Sequence, residues 1–305
     1  MSRVVITGGA GASGRLLAAR LLAGGHEVHV VDRAAPTAVL DGVIYHRADV
    51  RKRGFEDALR KVKPDALVHL ARLHRLQADA AERHRVNFEG TVRVFEVARS
   101  AGVRKLVFPS RHTVYGALPD QPQFLTEEHP PSAGRTYPEI QDLVAADLYA
   151  SGQLWRHPEL EVVVLRPVNV VGPTVKNLFC HYLSQERVFT VAGFDPPYQV
   201  IHEDDLSHAL ELALAPGLRG VFNVAGPDTV PLHVIVEESG AARVPVPEPL
   251  IRWLGGRLGF ASVPRGAIDY LKYPCTVDGG AFVAKTGFSL RHGLGDTLRS
   301  LRKPG

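Results

Sequence analysis

Short apolar runs alternate with amphipathic stretches over the first two-thirds of the chain. Residues 4–7, 28–32, 43–46, 66–70, 105–109 and 162–166 are rich in β-branched and apolar side chains and predict strands. Between several of them, residues 14–23, 55–62 and 85–101 carry apolar positions at helical spacing. Strands alternating with helices predict an α/β fold, a doubly wound parallel sheet covered on both faces. After Arg166 the pieces lengthen and prolines and glycines become frequent, as at Pro167, Gly172-Pro173, Pro196-Pro197 and Pro245 to Pro249. This change predicts a first domain over 1–166 and a smaller C-terminal lobe over 167–305. Segments near 199–226 are expected to return to the large sheet. No clean linker, internal repeat or low-complexity segment is visible.

Composition narrows the picture. The 305 residues are 45% hydrophobic and 22% charged, enough for a sizeable core and unlike a disordered chain. Cys180 and Cys275 allow at most one bridge and form no zinc-type pair, which points to free thiols. Neither a signal peptide nor an apolar run of ~18 residues is present, so the expected location is cytoplasmic, with no membrane partner. A pI of 9.1 invites a nucleic-acid partner. The arginines are scattered, however, and only 51–53 and 299–303 cluster, without interleaved aromatic residues, so none is expected. His26-Glu27-Val28-His29 falls on a predicted strand whose i and i+3 positions face opposite sides. His202, Asp204, Asp205 and His208 give no coherent ligand set. No metal is assigned.

The chemistry begins at Gly8-Gly9-Ala10-Gly11-Ala12-Ser13-Gly14, between a predicted strand and a predicted helix. Gly8, Gly11 and Gly14 have the spacing GxxGxxG, which lets backbone approach a pyrophosphate at the positive end of a helix. Asp32 ends the second strand eighteen residues after Gly14. A carboxylate there accepts hydrogen bonds from ribose hydroxyls and repels a 2′-phosphate, which favours NAD; Arg33 keeps NADP possible.

That spacing resembles the short-chain dehydrogenase/reductase superfamily, and further residues resemble its extended branch, the NAD-dependent epimerases and dehydratases. Asp49-Val50 resembles the pair that touches adenine, His69-Leu70-Ala71 the HLA segment, and Asn87 to Thr91 the N-x-x-G-T helix. Val114-Tyr115-Gly116, Arg166 to Pro173, His202 to Asp205 and Phe222 to Gly226 match later landmarks in the same order. The resemblance implies a Rossmann fold, NAD as cofactor and a small-molecule substrate. It also implies a homodimer through the helices around 85–101 and 137–151. Cofactor contacts implied by position are Gly8, Gly11, Ala12, Ser13, Gly14, Asp32, Arg33, Asp49, Val50, Leu70, Ala71, Asn87, Tyr137, Gln141 and Pro167.

The resemblance also implies a Ser/Thr, Tyr and Lys site, from which this chain departs. Tyr137 stands at the Tyr position. Thr136 and Glu139 read as a capping box that would start a helix at Tyr137. The Lys position is Gln141, and no lysine occurs between Lys105 and Lys176. The Ser/Thr position is Arg111, flanked by Ser110 and Thr113, either of which could supply a hydroxyl. Arg111 either depresses the Tyr137 pKa or points outward into water. His112 is an acid/base by type, or a structural histidine. On the substrate side, Asn169 and Asn177 match substrate-contacting positions, and Tyr198 replaces a diphosphate-gripping arginine. The apolar stretch 249–260 is either core, a dimer contact or a wall over an apolar, non-nucleotide substrate. Three functions remain open: an atypical NAD(P)-dependent oxidoreductase or epimerase acting on a secondary alcohol or ketone, a catalytically degenerate NAD(P)-binding sensor or scaffold, and non-redox chemistry on the same fold.

Overall fold

The computed structural model describes residues 2–36, 38–73, 79–254, 264 and 266–301. Six runs predicted as strands form β1 (Arg3–Thr7), β2 (Glu27–Asp32), β3 (Val43–Arg47), β4 (Ala66–His69), β5 (Lys105–Pro109) and β6 (Glu161–Pro167). Between them lie α1 (Ala12–Ala23), α2 (Arg53–Val62), α3 (Ala80–Arg83), α4 (Gly90–Ser100) and α5 (Gln141–Arg156). A π-helical turn, His84–Glu89, joins α3 to α4. The later elements are β7 (Asn169–Val171), α6 (Leu178–Leu183), β8 (Arg187–Val191), β9 (Pro197–His202), α7 (Glu203–Leu212) and β10 (Gly220–Val224). After these come β11 (Thr229–Pro231), α8 (Leu232–Glu238), β12 (Ala242–Val246), α9 (Glu248–Leu254) and α10 (Ala267–Tyr270).

Seven parallel strands make one sheet in the order β10-β6-β5-β4-β1-β2-β3. Successive strand side chains point to opposite faces, and both faces are apolar because both are covered. Val4, Ile6, Val68, Val107 and Val163 pack beneath Leu17 and Leu21 of α1 and Leu206 and Leu210 of α7. Val5, Leu67, Leu106, Phe108 and Val164 pack beneath α2, α4 and α5, against Phe55, Val94, Phe95 and Ala150. A third core, around Val188, Phe189, Val200, Ile235 and Val236, fills the C-terminal region.

Residues near 199 do not return to the large sheet. β9 pairs with β7 and β11 in a small three-stranded sheet, and only β10 joins β6. Periodicity marks β9 as a strand but does not choose its partner, and both sides of β6 are already taken by β5 and β10. The chain comes back to the large sheet directly after β9, where α7 lies over its first face.

Strand order reverses between β1 and β4, the place where an open α/β sheet leaves a crevice at the carboxyl ends of its strands. One buried network fixes that end. Arg166 on β6 donates to both carboxylate oxygens of Asp147 on α5, at 3.0 and 2.5 Å, and to the Tyr115 hydroxyl at 2.9 Å. Tyr115 donates in turn to Asn223 on β10 at 2.8 Å. Asp147 and Arg166 side chains are 0% and 4% exposed.

Candidate active site

The crevice opens as a cavity of about 700 Å³, within the range of small-molecule sites. Its lining comes from the loops after β1, β4, β5 and β6 and from the C-terminal region. The glycine loop forms one end. Gly8 has φ +71°, and a Cβ there would stand 2.5 Å from the Cα of Ala71; a Cβ on Gly14 would stand 2.4 Å from the Cα of Gly9. Both glycines are thus required by packing within the protein. Gly11 differs, since a Cβ there would meet nothing nearer than the Gly8 carbonyl oxygen at 3.8 Å. Its open side lies on the cavity at the start of α1, with Ala12 and Ser13 beside it. Backbone left bare at a helix N-terminus fits a dinucleotide pyrophosphate.

Asp32 accepts from the amides of Ala10 at 3.1 Å and Ala34 at 2.9 Å, so it braces the loop. Arg33 is exposed and Val50 is buried in the second core. Asp49 is held by Arg51 through bonds of 3.0 and 2.7 Å, which keeps its carboxyl below the usual range. Leu70, Asn87 and Pro167 line the cavity, and Ala71 packs against Gly8.

At the other end, the expected helix start at Tyr137 is absent. Tyr137 precedes Pro138, whose ring disfavours the helical conformation of the residue before it. Tyr137 accordingly has φ −129° and ψ 76°, a 3-10 turn spans Pro138–Ile140, and α5 begins at Gln141. Tyr137, and not Thr136, stands at the N-cap of that turn, and it makes no side-chain capping bond among the described residues. The break shifts the helix phase: Gln141 is exposed and outside the cavity lining, while Asp142 and Leu143 line it. Asp142 accepts from Asn87, on the π turn, at 2.5 Å.

Tyr137 is 4% exposed, and its hydroxyl is buried without a hydrogen-bond partner among the described residues. A Cβ on Gly266 would stand 2.4 Å from its ring, and the Tyr270 ring lies 5.8 Å away, so the C-terminal region covers it. Burial raises its pKa above the ordinary phenol value, and Arg111 only partly opposes this. The depression expected from Arg111 is therefore outweighed, and Tyr137 is a neutral phenol. Arg111 lines the cavity on the loop after β5; it does not point outward into bulk water. Ser110 also lines the cavity, as does Thr113, whose hydroxyl is buried and unpartnered among the described residues.

His112 is 4% exposed; its Nδ1 donates to the Pro167 carbonyl at 3.1 Å, leaving Nε2 to accept from Asn169 at 3.5 Å. Burial pushes its pKa down to about 4, and that of His69 to about 3. Both stay neutral in the fold while an unfolded histidine takes a proton near pH 6.5. Stability is therefore complete above pH 6.5 and falls as pH drops from there toward 4. His112 alone contributes on the order of 3 kcal/mol to this loss. In urea titrations, His112→Asn should lose less stability than the parent between pH 6.5 and 4.

The substrate-side residues are mostly occupied. Asn177 caps α6, accepting from Cys180 N and donating to Val170 O, both at 2.7 Å. Tyr198 stacks on Phe179 and donates to the Tyr270 carbonyl at 2.6 Å. Asn169 donates to Gln199 O at 3.3 Å. All three line the cavity. In the stretch 249–260, Ile251 is buried in the third core and residues 255–260 lie outside the described ones. Sequence reasoning missed Arg72, Arg83, Asp142 and Tyr270, all of which line the cavity. Arg72 directly follows His69-Leu70-Ala71, which was a usable signal; Tyr270 lies far along the chain and left none.

Comparison with known proteins places this geometry. The signature of the NAD dependent epimerase/dehydratase family matches residues 4–225, and the chain belongs to that family. An uncharacterised protein of Mycobacterium tuberculosis is 29% identical over 255 residues, 80% of this chain and 67% of that one. The UDP-glucose 4-epimerase GEPI48 of Cyamopsis tetragonoloba is 33% identical over 192 residues, 55% of this chain and about half (52%) of the epimerase. The fold is also that of the UDP-glucose 4-epimerase of Thermus thermophilus, solved with NAD. The two superpose with a TM-score of 0.75 at 24% identity, over 98% of this chain and 97% of the other. The family is NAD dependent, and the open backbone at Gly11 fits that cofactor. Among the described residues, no helix is long and apolar enough to cross a membrane.

Proposed function

We propose that the chain is an NAD-dependent enzyme of epimerase or oxidoreductase type that acts on a secondary alcohol or ketone of a small, non-nucleotide molecule. The observation that carries this reading is the Tyr137 hydroxyl, buried and unpartnered among the described residues, in the cavity that also contains the Gly11 loop. An orphan buried hydroxyl costs free energy, so its retention points to a partner that arrives with substrate. NAD, when bound, supplies hydride exchange at a carbinol carbon. Gly11, Ala12, Ser13, Leu70, Asn87 and Pro167 would hold it.

Tyr137, neutral, donates a proton to the carbonyl oxygen, and Thr113 offers a second hydrogen bond to the same oxygen. Arg111 lies close enough to stabilise the phenolate that remains, and it thereby replaces the missing lysine in charge though not in position. Reduction begins from the protonated phenol, the form that burial favours at Tyr137. Aromatic side chains of Phe179, Tyr182, Tyr198 and Tyr273 give the cavity an apolar wall.

A second reading, a dinucleotide-binding protein without turnover, is favoured by one observation: Lys176 is the only lysine among the described lining residues, and it is exposed. Calorimetric titration with NAD, NADH, NADP and NADPH, followed by a ketone screen with NADH, separates the two. Micromolar NAD(H) binding with turnover supports the enzyme, binding without turnover supports the second reading, and no binding sinks both.

A further inference from the structure

Charge in the cavity is unbalanced. Arg72 and Arg111 both line it, and Asp142 is the only acidic residue among the described lining residues. Asp142 bonds to Asn87 and forms no ion pair among the described residues. Arg111 makes no side-chain hydrogen bond or ion pair among them, and Arg72 donates only to the Pro109 carbonyl. Burial and the neighbouring Arg111 push the Arg72 pKa down to about 9, still above neutral pH, and a guanidinium keeps its proton in proteins. Cations withdrawn from water and left unpaired are costly unless a ligand completes them.

Both side chains are turned away from the cofactor pyrophosphate. Its loop follows β1 and Arg111 follows β5, with β4 between them, a separation of about 9–10 Å across the sheet. Arg72 follows β4, but its guanidinium reaches the Pro109 carbonyl at the end of β5, on the side away from β1. Arg111 instead interacts with Tyr137, Tyr270 and, without direct contact, Asp142, whose carboxylate is taken up by Asn87. We infer that Arg111 and Arg72 form a subsite for a substrate carboxylate beside the carbon on which Tyr137 acts, so that the substrate is a keto or hydroxy acid. A guanidinium presents paired N–H donors that match a carboxylate's two oxygens. The carboxylate is a spectator: reduction consumes NADH and one proton, the ketone oxygen takes that proton from Tyr137, and solvent restores the phenol. The inference rests on the redox reading of Tyr137.

The test reads charge recognition apart from turnover. NAD-loaded protein is titrated calorimetrically with benzoylformate, phenylpyruvate, the methyl ester of each, and UDP. At least one acid should bind about tenfold or more tightly than its ester, as expected for a hydrogen-bonded charge. Arg111→Gln and, independently, Arg72→Gln should each shrink that ratio in protein whose melting temperature is retained, and Arg111→Lys should recover part of it. No acid preference, a preference undiminished in both variants, or UDP binding that depends on Arg111 would each overturn the subsite. Acid preference without turnover would condemn only the redox reading. Turnover of neutral ketones by the parent protein, with no acid preference, would condemn only the subsite.

Discussion

Tyr137→Phe should lower turnover by about 10²–10⁴-fold, the usual range for a positioned proton donor, and leave NAD affinity unchanged. The substitution removes one oxygen and keeps the ring that packs against Gly266 and Tyr270. Because that oxygen has no partner among the described residues, its removal should also raise stability, by about 1 kcal/mol. Opposite signs for activity and stability are what a functional strain predicts and what a structural tyrosine does not. Initial rates, NADH calorimetry and urea midpoints on the same two proteins decide it. Turnover that survives would remove Tyr137 from the chemistry.

The largest stability effect is expected at Asp147→Leu. It strands Arg166, 4% exposed, without its carboxylate, and breaking a buried pair in this way costs about 3–5 kcal/mol. The damage should spread, because Arg166 also holds Tyr115, and through it Asn223 on the edge strand β10. Adding Arg166→Met to Asp147→Leu should restore much of the loss, since the orphaned charge goes too. A urea midpoint for the double variant as low as that of Asp147→Leu alone would contradict this account.

The large sheet was legible because each strand is a run of β-branched or apolar residues, and the parallel order followed from the alternation with helices. Sheet membership was less legible: β9 reads as a strand from its own residues, but its pairing with β7 depends on which sheet edges remain free. The glycine loop was legible as a pattern, though the pattern did not separate Gly8 and Gly14, required by packing, from Gly11, open to the cavity. At Tyr137 the capping signal of Thr136 and Glu139 competed with Pro138, and the proline won, moving the helix start by four residues. That shift turned Gln141 outward and brought Asp142 into the cavity. Arg72 and Tyr270 reach the site only through tertiary folding, which no local spacing records.

The cavity draws its walls from positions as distant as Gly8 and Cys275, and Tyr137 is roofed by Gly266 and Tyr270. A molecule that fills it therefore bridges the loop after the first strand and the C-terminal region around Tyr270 and Cys275. Its binding energy is paid into the cohesion of both regions at once, so ligand at 100 times its dissociation constant should add about 2.7 kcal/mol to the folded state. Melting shifts thus offer a way to find the natural ligand that needs no assay of the reaction.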